Sequence, residues 1–116
     1  MRPILVASAA VLLMLTPLAA QTLTGGDLKA AISGESGTWR TKGGKFSGTT
    51  TYNTDGTAQT TGNFGAFTED TGVWSIRGDK LCATWKKVRG GKEACFSAKR
   101  LPDGRLDLGR NVLTLK

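Results

Sequence analysis

The chain predicts a small, mainly β fold: an antiparallel up-and-down meander of about eight strands closing into a barrel, with one short N-terminal helix. Three observations carry this expectation. From Gly37 onward apolar and polar residues alternate with period two. The alternating segments are separated by turn-forming residues such as Asp55-Gly56, Gly78-Asp79 and Gly90-Gly91. The only two cysteines, Cys82 and Cys95, then fall opposite each other in the register those turns impose.

The residues before the barrel read as an export signal. Arg2 supplies a positive charge, Ile4 to Leu15 form an apolar run, and Thr16 to Ala20 end on a small residue suited to cleavage. Residues 1–20 are therefore expected to be a signal peptide, which implies a periplasmic or secreted protein. The apolar run is shorter than the roughly 20 residues needed to span a bilayer. No cysteine sits at the cleavage point, so a lipoprotein is not indicated, and no later run reaches spanning length. The expected mature chain of about 96 residues has room for one domain and a modest core. Removing Arg2 from the sixteen Lys and Arg leaves fifteen against nine Asp and Glu, a charge of +6 that suits both solubility and anionic partners.

Residues 21–36 hold the helix and its connection, and residues 37–116 the barrel. Thr24 caps a helix beginning at Gly25, Asp27 takes the third position of a capping box, and Leu23 staples onto Leu28. Leu28, Ala31 and Ile32 share one face, and Gly34 stops the helix, which is expected to plug or cover one end of the sheet. The expected strands are Thr38 to Lys42, Phe46 to Asn53, Thr57 to Phe67, Gly72 to Arg77, Lys80 to Lys86, Glu93 to Arg100, Arg105 to Gly109 and Val112 to Leu115.

Side-chain faces fix the register. A two-residue Gly78-Asp79 turn sets Ile76 opposite Leu81, Trp74 opposite Ala83 and Gly72 opposite Trp85, which gathers the large apolar groups on one face. The next hairpin, with a loop from Lys87 to Gly90, pairs Leu81 with Phe96 and Ala83 with Ala94. Cys82 then stands opposite Cys95 on the other face, close enough to bond. A type I turn with Gly56 in a bulge sets Tyr52 opposite Ala58 and Phe46 opposite Phe64, and Pro102-Asp103-Gly104 admits the same geometry, with Ala98 opposite Leu108. An even cysteine count in an exported small domain reads first as a disulfide. A redox pair lacks the close C-x-x-C spacing. A zinc site lacks histidine, and two cysteines cannot close a tetrahedral shell.

Tyr52 to Thr57, Gly72 to Cys82, Trp85 and Cys95-Phe96 together resemble a family of small exported bacterial proteins of unknown function. The resemblance covers nearly the whole mature chain and implies a lipocalin-like, or calycin-like, β-barrel. It supplies no catalytic residues. The chain is shorter than ligand-carrying lipocalins, which speaks against a roomy cavity.

Catalysis is constrained by inventory. Without histidine there is no Ser-His-Asp triad or Cys-His dyad, and a disulfide removes the only thiols. The expectation is a protein that is not an enzyme and carries no cofactor or metal. Glu69 and Asp70 are adjacent carboxylates, but neighbours in a strand point to opposite faces, and a turn or solvated edge accounts for them. Gly62-x-x-Gly65 lacks the lysine and the strand-to-helix context of a phosphate loop and reads as a bend in the barrel wall. Arg77-Gly78-Asp79 spells an integrin-recognition tripeptide, yet a tight turn already explains Gly-Asp.

The remaining candidate is basic. Lys86, Lys87, Arg89 and Lys92 crowd one hairpin tip and form a candidate anion-binding site, while Arg77, Lys80, Lys99, Arg100, Arg105 and Arg110 lie elsewhere. A solvated hairpin end is the plainer reading, because no aromatic groups interleave with the tip in the sequence. Three function classes follow for an expected monomer. One is a binding module of the cell envelope that takes a small apolar ligand in the barrel or an anionic surface at the tip. Another is an inhibitor of an exported enzyme, acting through a protruding loop such as Gly62 to Asp70, with the charge arguing against a basic target. The third is a structural envelope protein. A continuous apolar cavity favours ligand carriage, and a filled core with a long exposed loop favours inhibition.

Overall fold

The computed structural model describes residues 20–116, so residues 1–19 of the expected signal peptide lie outside the described residues. Among the described residues ten strands form one antiparallel sheet that curls into a nearly closed barrel. They are β1 (Gln21–Thr22), β2 (Ser36–Thr41), β3 (Ser47–Tyr52), β4 (Thr57–Asn63), β5 (Glu69–Arg77), β6 (Lys80–Trp85), β7 (Ala94–Ser97), β8 (Lys99–Arg100), β9 (Leu106–Asp107) and β10 (Asn111–Leu115). One helix, α1 (Gly25–Ile32), follows β1. The sheet order is β1-β8-β9-β10-β2-β3-β4-β5-β6-β7.

The count exceeds eight for two physical reasons. The expected strand from Glu93 to Arg100 breaks at Ala98, which is fully buried and whose carbonyl accepts the Leu23 N–H at 2.9 Å, one step beyond the β1–β8 pairing and away from β6. Its first half, β7, borders β6; its second half, β8, lies between β1 and β9. One bent segment thus runs from one edge strand, β7, to the strand next to the other edge, and draws the barrel nearly shut. The tenth strand, β1, is a two-residue piece that pairs Gln21 with Arg100 and Thr22 with Lys99.

Register follows the sequence expectation closely. Ile76 pairs with Leu81, Trp74 with Ala83 and Gly72 with Trp85, and Leu81 pairs with Phe96, Ala83 with Ala94 and Cys82 with Cys95. Cys82 and Cys95 form a disulfide. Tyr52 pairs with Ala58, with Gly56 at a φ of 90° as the bulged turn requires, and the ladder ends at Ser47 and Asn63, one step before Phe46 and Phe64. The next hairpin departs from expectation. Its ladder stops at Ala83 and Ala94, and residues 86–93 form a wider loop around a tight turn at Val88–Gly91.

α1 closes one end of the barrel. Thr24 Oγ1 accepts the Asp27 N–H at 3.2 Å, and the Asp79 carboxylate accepts the Gly25 N–H at 2.7 Å, so two orphan donors of the first turn are satisfied. Asp79 of the Arg-Gly-Asp tripeptide is thereby engaged inside the molecule. A Cβ at Gly25 would overlap the Gly78 carbonyl, so only glycine lets the helix approach this closely. Leu28 and Ile32 are fully buried and belong to one core with Tyr52, Trp74, Leu81, Leu106 and Leu113. Trp74 Nε1 donates to the Asn53 carbonyl at 2.9 Å, and its ring meets Tyr52 edge-on with centroids 5.7 Å apart.

Candidate functional site

The other end of the barrel is not filled. Inward positions of β2, β3, β4, β6, β7 and β10 surround a cavity of about 320 Å³, with residues from the segments near 46, 64–67, 88–89 and 110–111 at its rim. The Gly78 turn that α1 touches, and the Thr54 turn beside Gly34 just past the helix, contribute nothing to it. Six aromatic rings line the walls: Trp39, Phe46, Phe64, Phe67, Trp85 and Phe96, with Tyr52 deeper in the barrel. Trp39 and Phe64 stack with centroids 5.3 Å apart and planes 11° from parallel. Trp39 gains its place because its strand partner is Gly48, where any Cβ would strike the indole ring.

The polar groups of the interior are largely spoken for. Thr50 Oγ1 donates to Thr60 Oγ1 at 2.8 Å, Thr60 Oγ1 donates to the Thr49 carbonyl at 3.1 Å, and Trp39 Nε1 donates to Thr60 Oγ1 at 3.2 Å. Burial pushes the Tyr52 hydroxyl up to about 12, so it stays neutral. Asn111 Oδ1, at the rim, is buried with no hydrogen-bond partner among the described residues.

Two arginines stand at this rim. Arg89 lies in the Val88–Gly91 turn and holds its guanidinium over the Phe96 ring, 5.1 Å from the centroid. Its φ of 57° makes it the non-glycine residue in the left-handed region among the described residues. Arg110 enters from the turn between β9 and β10 and also lines the cavity. Desolvation, followed by the like charge of Arg110, lowers the Arg89 pKa. The ion pairs among the described residues join Lys42 to Asp107, Arg77 to Glu93 and Arg105 to Asp103, and leave both rim arginines without a carboxylate.

The four basic residues of the expected tip have different surroundings. Lys86 and Lys92 are exposed. Lys87 is also exposed, but its Nζ donates to the Glu69 carbonyl at 3.2 Å and sits 5.8 Å from the Phe67 ring centroid. Arg89 is exposed as well, and it alone of the four lines the cavity. Aromatic rings therefore do accompany the tip, Phe96 from β7 and Phe67 from the segment between β4 and β5, which is distant in the linear sequence.

The tip is held by a residue the sequence reading placed in a turn or on a solvated edge. Asp70 is buried on β5, at 4% exposure. Its Oδ2 accepts the N–H groups of Lys87 at 3.0 Å and Val88 at 2.9 Å, and its Oδ1 accepts that of Thr71 at 2.9 Å. Glu69, on the opposite face, is exposed, as strand geometry requires. Burial raises the Asp70 pKa, but the three N–H donors and the nearby Lys87 charge outweigh it and hold the carboxyl below its ordinary value.

No family model, curated protein or solved structure matches the chain. Chemistry must therefore be read from the cavity itself. Its walls offer apolar and aromatic contact, and its lining includes two arginines without a carboxylate partner among the described residues and the Asn111 side chain. Arg110 is the rim residue that sequence reasoning left outside the site. Arg110 immediately precedes β10, which is five positions from β6 in the sheet, and only curvature of the barrel brings the Arg110 turn to the Arg89 loop.

Proposed function

We propose that the protein is a non-catalytic, exported binding module of the bacterial cell envelope that holds a small, largely apolar molecule inside the barrel. The observation that carries this reading is the aromatic-lined cavity of about 320 Å³, a volume at the lower end of those that accept small organic ligands. A filled core with a protruding loop would have favoured an enzyme inhibitor. Instead, the segment after Gly62 folds back, with the Phe64 N–H bonded to the Phe67 carbonyl at 3.2 Å, and both rings line the cavity. Export is consistent with the disulfide, and no helix among the described residues is long and apolar enough to cross a membrane. The resemblance to small exported bacterial barrel proteins belongs to the same proposal.

Native mass spectrometry of protein purified from its own host tests the reading. One equivalent of a small molecule, released on denaturation, is the expected result. Bare protein in repeated preparations would count against carriage.

A further inference from the structure

We propose that the cavity selects an amphiphile with an aromatic or alicyclic body and an anionic head, the head being held at the rim by Arg89 and Arg110. This inference rests on the cavity being a ligand site and adds the chemical class of the ligand. Arg89 and Arg110 both line this opening, and two like charges on one rim repel each other. The Phe96 ring accounts for the place of Arg89, but no carboxylate among the described residues offsets the second charge that Arg110 brings to the same rim. A bound carboxylate, sulfonate or phosphate relieves that repulsion, and a guanidinium fork is suited to grip it.

The backbone carries the second argument. Gly90 and Gly91 adopt positive φ without steric cost, but Arg89 at a φ of 57° does so against the preference of its side chain. Glycine at position 89 would remove that strain, yet the chain places arginine there and sets its guanidinium over Phe96 at the cavity rim. Strain of this kind marks a position shaped by something other than folding. The head group would lie between Arg89 and Arg110, and the body among Trp39, Phe64, Trp85 and Phe96. Asn111 Oδ1 is an acceptor and would take a donor from the ligand, such as an amine or hydroxyl near the head.

Two fluorescent probes separate body from head. 1-Anilinonaphthalene-8-sulfonate carries an aromatic body with a sulfonate, and N-phenyl-1-naphthylamine carries the same body without charge. Both are titrated into the wild-type full chain with its disulfide intact and into the variants Arg89→Gly, Arg110→Gln and the double substitution. Binding of the sulfonate should weaken about three- to tenfold for each arginine removed, while binding of the neutral probe stays within about twofold. Lys29→Gln, which removes an exposed charge on α1 outside the cavity lining, should leave both unchanged. Arg89→Gly should keep or raise the melting temperature, so a loss of sulfonate binding there is not a loss of fold. Equal affinity of the sulfonate for wild type and the double variant would overturn the anionic-head inference while leaving the cavity reading intact. Failure of both probes to bind wild type saturably would overturn the cavity reading and this inference with it.

Discussion

Asp70 shows how much of the site depends on one side chain. Its carboxylate ties β5 to the backbone of Lys87 and Val88, and so fixes the loop that presents Arg89. The ordinary value of 3.8 applies to the unfolded chain, and the folded value lies below it. The stabilisation is therefore fully present above the ordinary value and is lost as pH falls through the lowered folded one. Asp70→Asn replaces one acceptor oxygen with a donor that faces N–H groups. Urea unfolding at neutral pH should show a loss of about 2 kcal/mol. The variant should also lose part of the stability decline that wild type shows on acidification; an unchanged acid profile would mean that Asp70 is not the coupled group. Period two carried back from Trp74 through Gly72 puts Asp70 inward and Glu69 outward, but the tie to the loop was not legible, because Lys87 and Val88 lie 17 and 18 residues away.

At the scale of elements, the hairpins were legible and the helix contact was not. Turn residues with fixed offsets and a period-two pattern determine which residues face each other, so the pairs from Tyr52–Ala58 to Cys82–Cys95 could be derived without coordinates. Thr24 and Asp27 likewise announced the start of α1. The sequence did not show that Gly78-Asp79 serves as the dock for that helix as well as a hairpin turn. Gly25 makes the point testable. Alanine is the better helix former, so propensity alone expects Gly25→Ala to stabilise α1 by up to about 1 kcal/mol. Its Cβ would meet the Gly78 carbonyl, and thermal or urea melts should show a loss of about 1–3 kcal/mol instead. A stabilised variant would show that the helix is not packed against this turn.

The whole molecule is where the linear sequence is least informative. A meander of hairpins states which strands are neighbours but not how the ends meet; here one strand, bent at Ala98, borders β6 with its first half and β9 with its second. Closure of that kind brings Arg110 to Arg89 and turns scattered phenylalanines into a wall. The cavity likewise arises from what α1 leaves unfilled, a volume that no local pattern encodes. Its existence as a binding site is the central claim, and the three tryptophans provide an internal comparison. Trp39 and Trp85 line the cavity, whereas Trp74 packs against Tyr52 with its indole N–H bonded to Asn53. The most direct measurement is a titration of ¹⁵N-labelled protein with neutral 1-naphthol, following the three indole N–H signals. Saturable shifts of Trp39 and Trp85, with Trp74 nearly still, are the expected result; shifts confined to outward-facing amides, with both cavity indoles unmoved, would contradict it.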